Sequence, residues 1–560
     1  MNKNNDYHNS HRLVNLSHLL LSKIINYLDD NVDRICFTLV CKRWFNEKHG
    51  YISFRNDHIH RIISDKDKNK IFLNSFKSIY IDSINRKNDL ELVVGNDQSP
   101  HNYHMTSEKL LEMNEIPSNV CSISFSFRSD YPYLEELYRL ISQSNVTILS
   151  GCQTLRYRFP ENLISLSLKG EFDELLPGYL PPHLKCLNLQ KTIINKPIKV
   201  GVLPNTLEKL SFPHSYQHPL EPGVLPLSLK SLEYFGNRIL EVGSLPPNLE
   251  EFEYYGSNDH QILDGTLPLT LRKLTGSLSW IPQIKLLSNL QSLKFCSGMF
   301  DNQILYLHYL PSSLTDLVVT LGVLRSTMPP TIKRLDIVNA LYDIDEIFKD
   351  RSQYQFDYLR INAYKRYELL DHLKIKELEL DVRYGLSNGT DSYREVPNGI
   401  ETLRFGCGAI KIIHEVPASV QTLHLDSIEC LPIDHSVILP NTIQELAIYE
   451  DEIDEYNEDG EEIDVVLEKQ LNSDILPSSL QKLTLYALRL PQPRIPNNVV
   501  FDLQSGGYGG TAWLRRLDEH HYLFFSEEPN FVSAIVHESQ IPKLFAFYES
   551  NLLDYTPRWS

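Results

Sequence analysis

Apolar residues return along this chain in a fixed local frame, Pro-x-x-Leu-x-x-Leu-x-Leu. In LPPHLKCLNL, which begins at Leu180, Leu184, Leu187 and Leu189 stand three, six and eight residues after Pro181. The last two alternate with polar neighbours, which predicts a short strand with one face turned inward. Leu184 falls on the turn that leads into it. Proline fixes φ and offers no backbone donor, so it suits the lead-in rather than the middle of a strand. The same frame reappears as FPENLISLSL, LPNTLEKLSF, LPLSLKSLEY, LPPNLEEFEY and LPLTLRKLTG, and later as LPSSLTDLVV, MPPTIKRLDI, VPNGIETLRF, VPASVQTLHL, LPNTIQELAI and LPSSLQKLTL. Outliers stand near Pro117 and Pro496.

The prolines measure the period. Pro160, Pro181, Pro204, Pro226, Pro246 and Pro268 are 21, 23, 22, 20 and 22 residues apart. Pro329 and Pro397 are 68 apart, and two copies without proline fill that gap: Phe356, Leu359 and Ile361, then Ile375, Leu378 and Leu380. The apolar spacing is therefore the structural requirement. The rest of each repeat must return the chain to the next strand. Gly201, Gly223, Gly243 and Gly265 mark positions where that return needs a positive φ. One such unit cannot bury its apolar face alone, whereas stacked units form a parallel sheet over a continuous leucine ladder. The period lies in the range of about 20–29 residues that characterises leucine-rich repeats. The expected fold class is an α/β repeat: a small helical module, then a leucine-rich-repeat-like solenoid with a parallel β-sheet.

The helical module is read from residues 12–49. Leu20, Ile24 and Leu28 repeat at i, i+4 and i+8, with Leu21 and Ile25 widening the stripe; Phe37, Val40, Cys41 and Trp44 make a second helical stripe. Helices this short bury little surface, so such a module depends on a partner.

Two resemblances follow from these residues. LEPGVLPLSLKSLEYFG and INKPIKVGVLPNTLEKLSF resemble FNIP repeats, with the Phe-Asn-x-Pro step degenerate at Ile194-Asn195-Lys196-Pro197 and at Tyr216-Gln217-His218-Pro219. Leu16, the Ile24-Ile25-x-Tyr27-Leu28 step and Val40-Cys41-x-Arg43-Trp44 resemble an F-box, in which Ser17 stands where the family usually has proline. The F-box resemblance implies docking on the Skp-family adaptor of a cullin–RING ubiquitin ligase, with Leu16, Leu20, Ile24, Leu28, Val40 and Trp44 as the adaptor-facing or supporting set. The repeat array would then hold an unknown target protein. The alternative is a repeat scaffold with no ligase role. The expected organisation is a disordered tail over 1–11, an F-box over 12–50, and a connector or degenerate early repeats over 51–110. The array then spans 111–505 with an acidic loop at 450–466, and a C-terminal cap spans 506–560.

Composition changes little in this picture. With 560 residues, the chain is too long for one ordinary core. The net charge is −18, and residues 450–464 supply ten carboxylates of it, so nothing global favours nucleic acid or an anionic membrane. No membrane span or signal peptide is read. Eight scattered cysteines without a Cys-x-x-Cys pair fit an intracellular protein of the cytoplasm or nucleus.

Candidate chemistry is sparse. In the acidic stretch Glu455, Asn457, Asp459 and Gly460 have calcium-loop spacing, but Val466 stands where the closing glutamate belongs. The glycine cluster 506–510 lacks the Gly-Lys-Ser/Thr of a phosphate loop. His520 and His521 are adjacent, and neighbours in sequence do not share a helix face. They read as a surface pair, and no metal or other cofactor is expected. Glu233 and Glu253 share the +7 position of successive repeats, but Thr275 ends the series, so no enzyme is expected. The outward positions +5, +7 and +9 carry Glu251, Glu253 and Tyr255, then Arg334 and Asp336, then Thr422, His424 and Asp426. Mixed polar and aromatic faces of this kind suit protein recognition.

Overall fold

The computed structural model describes residues 14–54, 114–125, 133–236, 238–256, 261–295, 303–362, 370–381, 396–406, 415–427, 439–449, 470–485, 512–526 and 532–541, with shorter pieces between them. Among the described residues, 19 strands form one sheet in which every pairing is parallel. After Val120–Phe125 each strand lies beside the one before it. The chain is a parallel β-solenoid of the leucine-rich-repeat type.

The +6 leucine sets the register. Leu166 pairs with Leu187, then Leu210, Leu232, Phe252, Leu274, Leu293, Leu317 and Leu335 in turn, and the same row runs on through Leu359, Leu378, Leu403, Leu423, Leu446 and Leu483. All of them are buried in one continuous core. Burying each such side chain contributes about 1.5–3 kcal/mol, so the ladder is the dominant stabilising term of the array.

The turn ahead of each strand explains the +3 leucine. The amide of Leu184 donates to the Pro181 carbonyl at 3.2 Å, and Leu207, Leu229, Leu249 and Leu271 repeat the bond to Pro204, Pro226, Pro246 and Pro268. Proline thus serves the turn through its carbonyl and its fixed φ. Its missing N–H costs nothing there. The +4 carbonyl then accepts two amides of the next repeat, as Lys185 does from Glu208 at 2.8 Å and Lys209 at 2.9 Å.

Gly201, Gly223, Gly243 and Gly265 have φ between 83° and 87°. The nearest atom to a Cβ built on Gly243 would be 3.8 Å away. Glycine is needed there for the backbone conformation and not for space.

The copies without proline keep the register. Gln355–Asn362 and Lys374–Asp381 are full strands, and the amide of Leu373 closes the usual turn on Leu370 instead of proline. Two further strands of the same kind, Ile148–Cys152 and Ser292–Phe295, escape the sequence frame because no proline announces them. Leu90–Val94 also belongs to the sheet, parallel to Val120–Phe125. The acidic stretch interrupts the chain but not the ladder: the amide of Gln481 donates to the Gln444 carbonyl at 2.8 Å across it. Of the calcium-loop positions only Glu455 is described, in a two-residue pairing with 462–463; Asn457, Asp459, Gly460 and Val466 lie outside the described residues.

The N-terminal helices are α1 (His18–Ile25), α2 (Asn31–Leu39) and α3 (Lys42–Asn46). Asp30 caps α2 by accepting from the Val32 amide. Leu21, Ile25, Val32, Ile35 and Trp44 form a second, smaller core with Tyr51, Ile52 and Phe54. Buried Arg34 ties it together by donating to the carbonyls of Leu28, at 2.9 Å, and Ser53.

A three-stranded antiparallel sheet, Ala512–Arg516, His521–Ser526 and Val532–His537, joins the two cores. Strand alternation gives it two apolar faces. Ala512, Leu514, Tyr522 and Phe524 enter the array core, whereas Leu523 and Phe525 enter the helical core with Trp513 packed beside them. Arg515 pairs with Asp33 of α2 at 2.8 Å. The segment expected as a C-terminal cap thus packs on the array core with one face and on the N-terminal helical core with the other. Phe545 and Phe547 lie outside the described residues.

Candidate functional surfaces

Two exposed surfaces concentrate the residues singled out by sequence. The first lies on the helical module. The stripe of α1 that faces its core is Leu21 and Ile25, so Leu20 and Ile24 turn outward, 45% and 38% exposed. Leu19, Tyr27 and Val40 join them as exposed apolar side chains. Leu16 and Leu28 are half-buried against the helical core. Trp44 is buried; its ring stacks on Phe37 at 4.6 Å and its Nε1 donates to the Val14 carbonyl at 3.1 Å. It supports the helices from within and touches nothing outside.

The adaptor-facing set read from the sequence left out Leu19, and also Tyr27 although it stands in the motif. Leu20, Ile24 and Tyr27 recur at i, i+4 and i+7, so a second stripe was present beside the first. Only the side facing the core distinguishes them. Ser17 precedes α1 with φ −70°, inside the range of proline, and its carbonyl accepts from Leu20 and Leu21 at 3.0 Å. The departure from the F-box pattern leaves that backbone geometry intact. Beside this turn His18 and Arg43 both reach Glu47, at 2.9 and 3.1 Å, and hold its carboxyl below the usual range, His18 contributing most.

The second surface is the outward face of the large sheet. In Glu251–Tyr254 the side chains alternate, with Phe252 and Tyr254 buried and Glu251 and Glu253 outward. Glu253 accepts from Lys273 at 2.6 Å and from the Tyr255 hydroxyl at 2.7 Å. Burial raises the Glu253 pKa, but Lys273 and Tyr255 outweigh it and hold the group below its ordinary value. Glu233 stands opposite Glu253 and accepts from Gln190 at 2.7 Å. A general acid for glycoside cleavage needs a raised pKa, and Glu253 has the opposite shift.

Aromatic rings line the C-terminal end of these strands. His214 stands 4.1 Å from Phe235, which stacks on Tyr255 at 5.0 Å.

Farther along, the outward face becomes a network of ions. Arg334 lies 3.6 Å from Asp316, and its guanidinium sits over the Tyr358 ring at 4.8 Å. Arg360 reaches Asp336 at 3.3 Å, Glu379 at 2.8 Å and Asp381. Burial works against its charge, yet these carboxylates raise its pKa further above the ordinary range. Arg404 pairs with Glu377 at 2.7 Å and lies 3.1 Å from His424 Nε2. Burial, followed by the charges of Arg404 and Lys482, pushes His424 down to about 4. The sequence placed Asp336 and His424 outward as single residues. Their partners on adjacent strands come from positions about 20–25 residues away, which only the register brings together.

Among the described residues, no helix is long and apolar enough to cross a membrane. Residues 195–236 match the FNIP Repeat family. The comparison with curated proteins gives no match. Among solved structures, the chain is similar to CroV588, described as a novel circular LRR protein, at 18% identity over 74% of this chain and 62% of that one, with a TM-score of 0.39. It thus spans a little over three-fifths of that relative's length. It is also similar to YopM from Yersinia enterocolitica WA-314, at 15% identity over 70% of this chain and 78% of that one, with a TM-score of 0.26. The chain is a repeat protein that carries an FNIP repeat in a leucine-rich-repeat-like solenoid.

Proposed function

We propose that this protein is a non-enzymatic substrate receptor of a cullin–RING ubiquitin ligase. Its helical module recruits a Skp-family adaptor, and its repeat array holds the target. The observation that carries this reading is that Leu19, Leu20, Ile24, Tyr27 and Val40 stand exposed on or just beyond helices whose own core is already filled. Large apolar side chains left exposed in such number on one small module mark an interaction surface. Leu16, Leu28 and Trp44 act from beneath as supports. Glu251, Glu253, Tyr255, Arg334, Asp336 and His424 belong to the outward sheet face that offers itself to the target.

The test is direct binding of the purified full chain to a Skp-family adaptor and its cullin, set beside a Leu20→Asp, Ile24→Asp double variant. Wild-type capture with loss in the variant supports the reading. No capture by wild type ends it, and equal capture by both moves the contact elsewhere. Trp44→Ala should act through stability and lower the melting temperature. If the ligase reading fails, the array remains a protein-binding scaffold, supported by its mixed outward face.

A further inference from the structure

The C-terminal sheet brings together donors that are far apart in sequence. Its first and second strands are joined by a turn holding His520, and its third strand ends in His537, with Glu538 opening the short turn that follows. One ligand atom from each of His520, His537 and Glu538 lies within 4.8 Å of the others, and all three residues are exposed. We propose that these three side chains bind a divalent transition-metal ion of the zinc class.

The backbone fixes the arrangement. His521 pairs across the ladder with His537, and the Glu538 amide donates to the His520 carbonyl at 2.8 Å. The two ligand-bearing segments therefore cannot drift apart while the sheet is folded. His520 Nδ1 lies 3.0 Å from the Glu538 carboxylate. The His520 and His537 rings stand 5.7 Å apart, tilted by 23°. A tetrahedral ion with bonds of about 2.0–2.1 Å needs ligand atoms about 3.4 Å apart. Closing that gap takes about 1.4 Å, within the rotamer freedom of exposed side chains.

The remaining shell fits as well. His537 Nδ1 lies 2.9 Å from the Ser539 hydroxyl and 3.3 Å from the Ser539 amide. In the structure Nδ1 accepts from that amide; binding the ion at Nε2 takes the other tautomer, in which Nδ1 releases the amide and donates to the hydroxyl. Two imidazoles and one carboxylate suit zinc and its neighbours, not the all-oxygen shells of calcium or magnesium. Three protein ligands leave the fourth position to water. His521 is engaged by Asp518 at 3.0 Å and stands beside the site. The neighbour argument that set His520 and His521 aside holds for a helix; here the second imidazole comes from an adjacent strand.

The test is zinc titration of the full chain against a chromophoric chelator, beside a His520→Ala, His537→Ala double variant. The wild type should bind one equivalent more than the double variant. Cobalt should give a tetrahedral absorption band in the wild type alone. Glu538→Gln should weaken that equivalent at least about tenfold, and Ser539→Ala by roughly tenfold. His308→Gln, an exposed histidine far along the array, should change nothing. All substitutions are at the surface, and unchanged circular dichroism checks the fold. Equal zinc binding by wild type and double variant overturns the proposal, as does displacement of zinc by equimolar magnesium. In either case His520 and Glu538 form only a hydrogen-bonded surface pair.

Discussion

The stretch from Pro181 to Pro268 and the stretch from Gln355 to Asp381 build the same ladder by different means. In the first, strands such as Ser231–Tyr234 and Glu251–Tyr254 are four residues long, and each is preceded by a proline turn and a glycine of positive φ. In the second, proline is missing and both strands lengthen to eight residues, paired from Gln355–Lys374 to Asn362–Asp381. Arg360 and its carboxylates lie across their outward face. Proline does not by itself set strand length: Cys186–Ile194 is nine residues long behind the Pro181 turn, and Ser292–Phe295 is four residues long without proline. In Gln355–Asp381 the longer ladder and the charge pairing add to a register that the leucine row already sets. The buried leucine row and the turn before it are common to both.

That comparison is sharpest where it predicts equality. Leu210→Ala and Leu378→Ala should each cost about 2–5 kcal/mol, read as a lowered urea midpoint. A much smaller loss at Leu378 would mean that the ion network, not the core, carries the second stretch.

The next effect is a pH dependence beyond the second stretch. The His424 pKa is about 4 in the fold against 6.5 for the ordinary group. The unfolded chain takes up the proton first. The stability held by neutral His424 is complete above pH 6.5, declines as pH falls toward 4, and changes no further below that. The decline should be at most about 3 kcal/mol. His424→Gln should flatten it in urea titrations run between pH 7 and 4; an unaltered slope would assign the acid sensitivity to other groups.

Arg360→Leu comes third. It leaves Asp336, Glu379 and Asp381 facing one another, and a loss of roughly 1–2 kcal/mol is expected at low salt, shrinking in 1 M salt because the cluster is partly solvated. A loss indifferent to salt would point to packing of the side-chain stem instead. Gly243→Ala should cost about 1–2 kcal/mol through its left-handed φ. Pro226→Ala should cost about 0.4–1 kcal/mol by freeing the unfolded chain. If Pro226→Ala proved as damaging as Leu210→Ala, the proline would be setting register outright, and the comparison above would fail.

The sequence makes the leucine ladder legible because each repeat obeys the same short frame. The positive φ at Gly223 and Gly243 could be read for the same reason. Leu149 and Leu293 stayed hidden because no proline punctuates their turns. The outward residues were placed correctly as a face, since strand alternation alone decides that. Their partnerships were not, since Arg360 meets Asp336 and Asp381 only through register. On α1 the core stripe and the exposed stripe differ by one residue, and periodicity cannot choose between them. The contact of Asp33 with Arg515, like the gathering of His520 with His537, follows from which strands pair and leaves no local signature.

The sheet shared by both cores also imposes an order on synthesis. Asp33 leaves the ribosome 482 residues ahead of Arg515. At roughly 5–20 residues per second that is a wait of about 25–100 s. During that interval Leu21, Ile25 and Phe54 lack the wall that Leu523 and Phe525 supply. The N-terminal helices are thus completed only once residues 512–526 have been made. A chain that stopped before residue 512 would carry the exposed apolar side chains of those helices on an unfinished support, so the joint that anchors the helices also ties their completion to synthesis of the array between.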